Sequence, residues 1–303
     1  MRKPSVTVRV PASTSNLGPG FDTLGLALKL HNQISLRETD TLDIERVDDQ
    51  RNCAAANALS REAAAAFFAR AKLKPHGAQI EVKGEVPAAN GLGSSVTVRL
   101  GIVSALNELN GRPLGAATLL ELVAGLEGHP DNAAPALFGG FVVAAQIGGT
   151  VHYRRFSVPA TLKFVVCCPD YEVATEKSRA FLPKQVPLRD AVANLNRTAL
   201  ITAIFATGEY ALLRGLFDDK LHQPYRQKLI PMLDTVIAAG VEAGALGGWL
   251  SGSGPSIVCV TEHAERAVAE AMAGVYAKLR IRCQPHILTA DNDGTRVKRS
   301  AGD

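Results

Sequence analysis

The chain has 303 residues, of which 47% are hydrophobic and 20% are charged, and its formal net charge is +4. A chain of this length is near the size at which one hydrophobic core divides, so we expect two domains. The positive charges form no basic run, which argues against nucleic-acid binding, and no apolar stretch approaches the length that crosses a bilayer.

The first half of the chain alternates between strand and helix patterns. Val6, Val8 and Val10 alternate with polar residues and predict a half-buried strand that leads into the loop PASTSNLGPGFDTLG. Further predicted elements follow in chain order: strands at residues 34–36 and 42–47, a helix at 52–71, a strand through 80–86, a helix behind the Gly-Ser loop at 91–95, a helix at 116–126, and paired strands at 141–147 and 151–158.

The second half predicts another mixture of strands and helices. Its elements are a strand at residues 162–168, two or three helices between 173 and 239, two strands joined by a glycine turn within 247–260, a helix at 263–279 and a strand that ends at 288. This order favours an α+β domain of ferredoxin-like type. We place the boundary between domains 1–155 and 156–303, and we expect the polar tail at 291–303 to fray.

The five cysteines show no CxxC spacing, and most of them lie in apolar runs. This pattern is typical of free thiols in a reducing compartment and offers no metal site. We therefore expect a cytoplasmic protein without a membrane partner.

The segment from Pro87 to Ser95 carries the strongest local signal. It places two glycines and two hydroxyl groups between a predicted strand and a predicted helix. The free amides at a helix start attract anions, glycines let the backbone approach phosphate, and Ser94 and Ser95 can bind phosphate oxygens or Mg2+. A glycine turn with a serine N-cap is the alternative. The segment is neither a Walker A motif nor a dinucleotide fingerprint, since Gly-Lys-Ser/Thr is absent and Val96 replaces the third glycine.

Three segments, in the same order, resemble the GHMP kinases, the small-molecule kinases named for galactose, homoserine, mevalonate and phosphomevalonate. Residues 87–95 resemble the family's Pro-x3-Gly-Leu-Gly-Ser-Ser signature, and the others are PASTSNLGPGFDTLGLAL at 11–28 and LGGWLSGSGPSIVCV at 246–260. The resemblance spans nearly the whole chain. It implies ATP and Mg2+ as cofactors and an α+β fold with two domains, an N-terminal ATP-binding domain like ribosomal protein S5 and a C-terminal ferredoxin-like domain.

Within this family, the segments NLGPGFD at 16–22 and EGHPDNAAP at 127–135 most resemble homoserine kinases. The resemblance implies transfer of the γ-phosphate of ATP to the side-chain hydroxyl of L-homoserine, which yields O-phospho-L-homoserine for threonine synthesis. It is also compatible with a homodimer. Two alternatives stay open, a mevalonate-type kinase of the same family and a catalytically silent ligand sensor on the same fold.

Phosphoryl transfer requires phosphate donors, a carboxylate for Mg2+ and residues that hold the acceptor. By resemblance, Glu127 and Ser94 bind Mg2+, Asn132 positions the acceptor hydroxyl, and Asp131 is either a base or a residue that caps its loop. Glu127 could instead be a solvated residue at a helix end. The residues expected to bind the nucleotide are Pro87, Ala88, Ala89, Asn90, Gly91, Leu92, Gly93, Ser94, Ser95, Val96 and Thr97.

The acceptor site is expected to recognise an amino acid. Asn16 and Asp22 suit its ammonium group, although an Asx-turn is the alternative for them. By resemblance, the guanidinium groups of Arg179 and Arg226 hold its carboxylate. Either arginine could instead be a solvated surface residue, in which case Arg197 is the next candidate.

Two further residues complete the expected acceptor site. Gly252 lies in the segment LSGSGPS, which by resemblance faces the active site, or else forms a plain hairpin turn. His129 is the histidine that lies in a motif, and we expect it to donate or accept a hydrogen bond near the substrate. A structural histidine is the alternative.

Overall fold

The computed structural model describes residues 4–48 and 54–299, so the first two residues of the predicted helix at 52–71, including Cys53, lie outside the described part. In the first half of the chain the elements are β1 Ser5–Ser15, β2 Leu24–Glu38, β3 Ile44–Arg46, α1 Ala54–Ala71, β4 Ala78–Gly84, α2 Ser94–Leu109, α3 Ala116–Glu127, α4 Ala133–Phe138, β5 Phe141–Ile147 and β6 Thr150–Phe156. In the second half they are β7 Lys163–Pro169, α5 Thr175–Ala180, α6 Leu188–Thr207, a 3-10 turn Tyr210–Leu213, α7 Gln223–Arg226, α8 Leu233–Glu242, β8 Gly247–Leu250, β9 Ile257–Thr261, α9 Glu265–Lys278, β10 Cys283–Leu288 and β11 Arg296–Arg299.

The first sheet is organised around the long strand β2. Its beginning pairs with β5 and its end pairs with β4, while β1 lies along its other edge. β3 adds to β4 in parallel, and β6 extends β5. Helices α1 to α4 cover one face of this sheet, where Val8, Ile34 and Leu100 belong to one buried cluster.

The second sheet has the strand order β10-β7-β9-β8, and its neighbours are all antiparallel. In chain order this is the arrangement 4-1-3-2 of a ferredoxin-like β-α-β-β-α-β unit, as predicted. Helices α8 and α9 pack on one face around Val236 and Met272. The other face contributes Phe164 and Trp249 to a buried cluster that also contains Leu28 of β2. This shared core fixes the two sheets relative to each other.

The prediction of a frayed tail is wrong for the described residues up to 299. Strand β11 pairs antiparallel with β1, from Arg9 to Val6, and Asp291 before it is buried. All four residues of β11 are exposed, so no apolar periodicity marks the strand. The last strand therefore belongs to the first sheet although it lies beyond the predicted boundary at 155/156.

The opening loop is shorter than the sequence predicts. β1 continues to Ser15, and the hydroxyl residues at its end are buried. β2 begins at Leu24, ten residues before the predicted strand at 34–36. Residues 24–28 are buried without interruption, so the period-2 alternation that marks a half-buried strand is missing there. The loop is thereby reduced to residues 16–23.

The four described cysteines are free thiols. Cys167 and Cys259 are buried, whereas Cys168 and Cys283 are partly buried. Burial raises the pKa of Cys259 to about 12, so its thiol stays protonated at neutral pH.

Candidate active site

One cleft, with a volume of about 1080 Å³, collects most of the residues singled out in the sequence. It is bordered by the opening loop, the start of α2, the segment after α3 and the turn between β8 and β9. The predicted site residues that line it are Asn16, Asp22, Ala88, Ala89, Asn90, Gly91, Gly93, Ser94, Ser95, Val96, Glu127, His129, Asp131, Asn132, Arg179, Arg226 and Gly252.

The glycine loop packs closely against the turn between β8 and β9 and against the end of β1. Gly91 and Gly93 both have positive φ, 76° and 68°. A Cβ on Gly91 would lie 2.1 Å from the carbonyl oxygen of Ser251, and one on Gly93 would lie 2.4 Å from the Oγ of Ser13. Glycine is therefore required at both positions. The first turn of α2 has no side-chain cap and lines the cleft, where the free amides of a helix start favour an anion.

Pro87, Leu92 and Thr97 were expected to bind the nucleotide, but they are not among the residues that line the cleft. Leu92 is fully buried, and its carbonyl accepts a hydrogen bond from the backbone amide of Ser13. Thr97 is also fully buried, donates to the Ser94 carbonyl and accepts from the amide of Asn32. These contacts fix the shape of the loop.

Glu127 lies at the end of α3 and faces the first turn of α2. Its carboxylate accepts hydrogen bonds from the Oγ of Ser95 at 3.0 Å and from Arg99 at 2.6 Å. Ser95, rather than the expected Ser94, is therefore the hydroxyl that the structure brings to Glu127. Burial works to lower the pKa of Arg99, but Glu127 and Glu62 together raise it, so the guanidinium stays charged. Arg99 was not singled out in the sequence, although it lies one helical turn after Ser95.

Both ends of the Asn132 side chain are engaged by hydroxyl groups of β1. Ser13 donates to its Oδ1 and its Nδ2 donates to Ser15, each at 2.9 Å. These two serines were not predicted as site residues, and their signal in the sequence is the polar run that directly follows an apolar strand. Asn132 is thus held rigidly beside the glycine loop.

His129 and Asp131 form a hydrogen-bonded pair in which Nδ1 of the ring contacts a carboxylate oxygen. Asp131 is only 1% exposed. Burial works to lower the pKa of His129, but the hydrogen bond to Asp131 and its charge outweigh burial and raise the pKa above the ordinary value. Ligand atoms of Asp22, His129 and Asp131 all lie within 4.8 Å of one another, and the two carboxylates favour a positive charge here, either on the ring of His129 or on a bound group.

Arg179 and Arg226 lie against the same aromatic ring. Their Cζ atoms are 5.4 Å and 5.3 Å from the centroid of Phe21. Arg179 also donates to a carboxylate oxygen of Asp22 at 2.6 Å. Burial, and next the charge of Arg179, lower the pKa of Arg226 to about 10. Two neighbouring guanidinium groups that repel each other favour an anion nearby, and a guanidinium can bind a carboxylate through two hydrogen bonds.

The side chain of Asn16 forms hydrogen bonds with backbone groups of the protein. Its Nδ2 donates to the Gly252 carbonyl at 3.2 Å, and its Oδ1 accepts from the backbone amide of Asp22 at 3.0 Å. Asn16 therefore orders the opening loop and places Asp22. Arg197, the substitute candidate, pairs with Asp218 at 3.1 Å and is not among the residues that line the cleft.

Within residues 4–48 and 54–299, no helix combines the length and the apolar character that crossing a bilayer requires.

Two family models match the chain. The GHMP kinases N terminal domain matches residues 55–140, and the GHMP kinases C terminal model matches residues 201–278. A homoserine kinase from Moorella thermoacetica is 41% identical over 292 residues, which cover 96% of this chain and 99% of that protein. One from Caldicellulosiruptor bescii is 40% identical over 298 residues, which cover 96% of each.

Solved structures show the same relationship. The crystal structure of homoserine kinase from Cytophaga hutchinsonii has a TM-score of 0.87 at 30% identity and covers 97% of each chain. A mevalonate kinase structure has a TM-score of 0.67 at 14% identity and covers 95% of this chain and 99% of its own, which shows a shared fold alone.

Proposed function

The chain belongs to the homoserine kinases of the GHMP family, ATP-dependent enzymes that phosphorylate a hydroxyl group, and on this premise we propose that its acceptor is L-homoserine. The choice of L-homoserine as the acceptor rests on the charge pattern around Phe21. Arg179 and Arg226 suit a carboxylate, and the nearby carboxylates of Asp22 and Asp131 suit an ammonium group. The two charged groups of an amino acid match this pair of sites.

The phosphates of ATP would lie at the start of α2, where the glycines admit them and the helix amides donate to them. Ser95 and Glu127 offer a hydroxyl and a carboxylate oxygen, which are the hard donors that Mg2+ prefers, so these residues fit the metal. Bound there, Mg2+ would neutralise charge on the transferred phosphate. We therefore replace Ser94 by Ser95 in the proposed metal site.

In the proposed reaction the acceptor hydroxyl attacks the γ-phosphorus of ATP, and the bond to the β,γ-bridging oxygen breaks and releases ADP. The transition state of such a transfer is loose, so little proton removal is needed before the new bond forms. Asp131 is buried and already bonded to His129, so we assign it the orientation of His129 rather than the role of a base. The hydroxyl proton leaves to a phosphate oxygen or to water as the bond forms.

Asn132 directs the acceptor through its fixed position. Because Ser13 and Ser15 hold both ends of its amide, Asn132 presents the same polar face to the cleft in every turnover. Such preorganised positioning is the main contribution that a protein makes to phosphoryl transfer. The product O-phospho-L-homoserine, its use in threonine synthesis, a cytoplasmic location and a homodimer complete the proposal.

Steady-state ADP release tests the acceptor directly. Purified protein with Mg·ATP is offered L-homoserine, L-serine, L-threonine, mevalonate, galactose or no acceptor. We expect turnover with L-homoserine, and we expect Glu127→Gln and Asn132→Ala to remove it. A preference for mevalonate would favour the other kinase of the same family. ATP binding without turnover on any acceptor would favour the sensor.

A further inference from the structure

His222 lies fully buried beneath the opening loop, outside the group of residues that line the cleft. Its Nε2 is 2.8 Å from the carbonyl oxygen of Gly18, and its Nδ1 is 3.0 Å from Nη1 of Arg226. The ring also stacks on Phe21, with 5.1 Å between the centroids. One imidazole therefore contacts both the loop that carries Asp22 and Arg226, one of the two arginines of the proposed acceptor site.

The hydrogen bonds define the tautomer of this ring. A guanidinium can only donate, so Nδ1 of His222 must accept from Arg226. Nε2 then carries the proton and donates to Gly18. Burial, only partly offset by the charge of Asp219, lowers the pKa of His222 to about 4. The ring is thus neutral at physiological pH and can hold this pair of bonds.

Surrounding groups hold the ring in place. The Asp219 carboxylate accepts from the backbone amides of His222 and Gln223 and from the side chain of Asn194. Asn194 donates in addition to the carbonyl of Pro19 in the opening loop, at 2.9 Å. The turn that carries His222 is therefore joined to the opening loop at two points, directly by the bond from His222 to Gly18 and indirectly through Asp219 and Asn194.

Arg226 depends on few partners for its orientation. It is 2% exposed, and its Nη1 is shared between His222 and the Gly252 carbonyl at 2.9 Å. Among the described residues its Nε is a buried atom without a hydrogen-bond partner. Loss of the bond to His222 would leave the Gly252 carbonyl and the ring of Phe21 to direct this guanidinium.

We propose that His222 is a positioning residue for acceptor recognition: it aims Arg226 at the carboxylate of the acceptor and ties that arginine to the opening loop. This inference rests on the proposed function, because it assumes that the acceptor carries a carboxylate beside its amine. His222 touches no reacting atom, so it acts through substrate affinity rather than through the chemical step.

Two variants separate the two hydrogen bonds. His222→Asn places an acceptor near the position of Nδ1, and His222→Gln places a donor near the position of Nε2. Each protein is assayed with L-homoserine and with 3-amino-1-propanol, which has the same amine and hydroxyl but no carboxylate. The amino alcohol is measured as a substrate or as an inhibitor competitive with L-homoserine.

We expect His222→Gln to raise the KM for L-homoserine about tenfold, while kcat, the KM for ATP and the constant for the amino alcohol change by less than about twofold. We expect the KM of His222→Asn for L-homoserine to lie much closer to that of the unmodified protein. Equal losses for both acceptors, or equal defects in the two variants, would overturn the proposal. Nitrogen NMR of the unmodified protein gives a test that needs no variant, because a His222 ring protonated at Nδ1 at pH 7 contradicts the assigned bonds.

An error in the proposed function and an error in the role of His222 would give different results. If the unmodified protein phosphorylates an acceptor without a carboxylate and ignores L-homoserine, the proposed function is wrong and the role of His222 falls with it. If the unmodified protein uses L-homoserine but the variants lose both acceptors equally, only the role of His222 is wrong.

Discussion

A methyl group on Gly93 is a sharp test of the glycine loop, and Gly111 at the other end of α2 provides the matched control. Both residues have positive φ, 68° and 79°. An alanine in that conformation costs about 1–2 kcal/mol at either site. At Gly111 nothing lies within 4 Å of the added Cβ, whereas at Gly93 the Cβ would lie 2.4 Å from the Oγ of Ser13.

The extra cost at Gly93 comes from the hydroxyl that must move. Ser13 donates to Oδ1 of Asn132, and the displaced hydroxyl would leave that buried oxygen without its partner. Losing it costs about 1–3 kcal/mol. Urea unfolding should therefore show Gly93→Ala less stable than Gly111→Ala by about that amount. Gly93→Ala should also raise the KM for ATP, since the amides of α2 move with the loop. Equal stability and equal KM in the two variants would refute the reasoning.

Three other predictions concern the metal, the ammonium group and the effect of pH. Ser95→Ala should raise the Mg2+ concentration needed for half-maximal binding of ADP, measured by calorimetry, more than Ser94→Ala does, because Ser95 is the hydroxyl bonded to Glu127; the reverse order would restore Ser94 as the ligand. Asp22→Asn removes a carboxylate from the ammonium site and also releases Arg179, its partner, so it should weaken binding of L-homoserine but leave inhibition by 4-hydroxybutanoate, which lacks the amine, unchanged or stronger; equal weakening of both would contradict an ammonium site. The pKa of His222 is lowered from 6.5 to about 4 in the folded protein. Between these two pH values the unfolded chain binds a proton at His222 and the folded protein does not, so the free energy of unfolding falls as the pH drops from 6.5 to about 4. At about 1.4 kcal/mol per pKa unit the loss is about 3 kcal/mol, and urea unfolding of His222→Asn should lack that share of the pH dependence; parallel profiles would contradict it.

Local patterns predicted the elements that carry a clear periodicity or a motif. The alternation of Val6, Val8 and Val10 correctly predicts β1, and the apolar spacing behind the glycine loop predicts α2, although that helix is buried on nearly all sides. The start of β2 was not predicted because it is buried on both faces, and β11 was not predicted because it is exposed on both, so neither shows the alternation of a half-buried strand. The existence of β11 depends on the free edge of β1, which is a property of the assembled sheet and not of residues 296–299.

The candidate site shows the same division between local and distant information. The glycine loop and the segment 127–132 were found because each carries its chemistry within a few residues. Ser13 was missed because its partner Asn132 is 119 positions away. His222 was missed although its partner Arg226 is four residues away, because its contact with the opening loop, at Gly18, spans 204 positions. A buried serine or histidine has no local signature that separates a supporting role from plain packing.

These distant contacts have a common element, the end of β1 and the opening loop that follows it. Its serines hold Asn132 beside the glycine loop, and Asn16 joins it to Gly252. Its Asp22 pairs with Arg179, and its Gly18 carbonyl accepts from the ring that supports Arg226. Because one continuous segment sets both the phosphate side and the acceptor side of the cleft, a shift of this segment would change the distance between the two substrates. Phosphoryl transfer depends on that distance, since its catalysis is positioning and charge stabilisation. The opening loop therefore contributes to the reaction mainly through the alignment that it imposes on ATP and the acceptor.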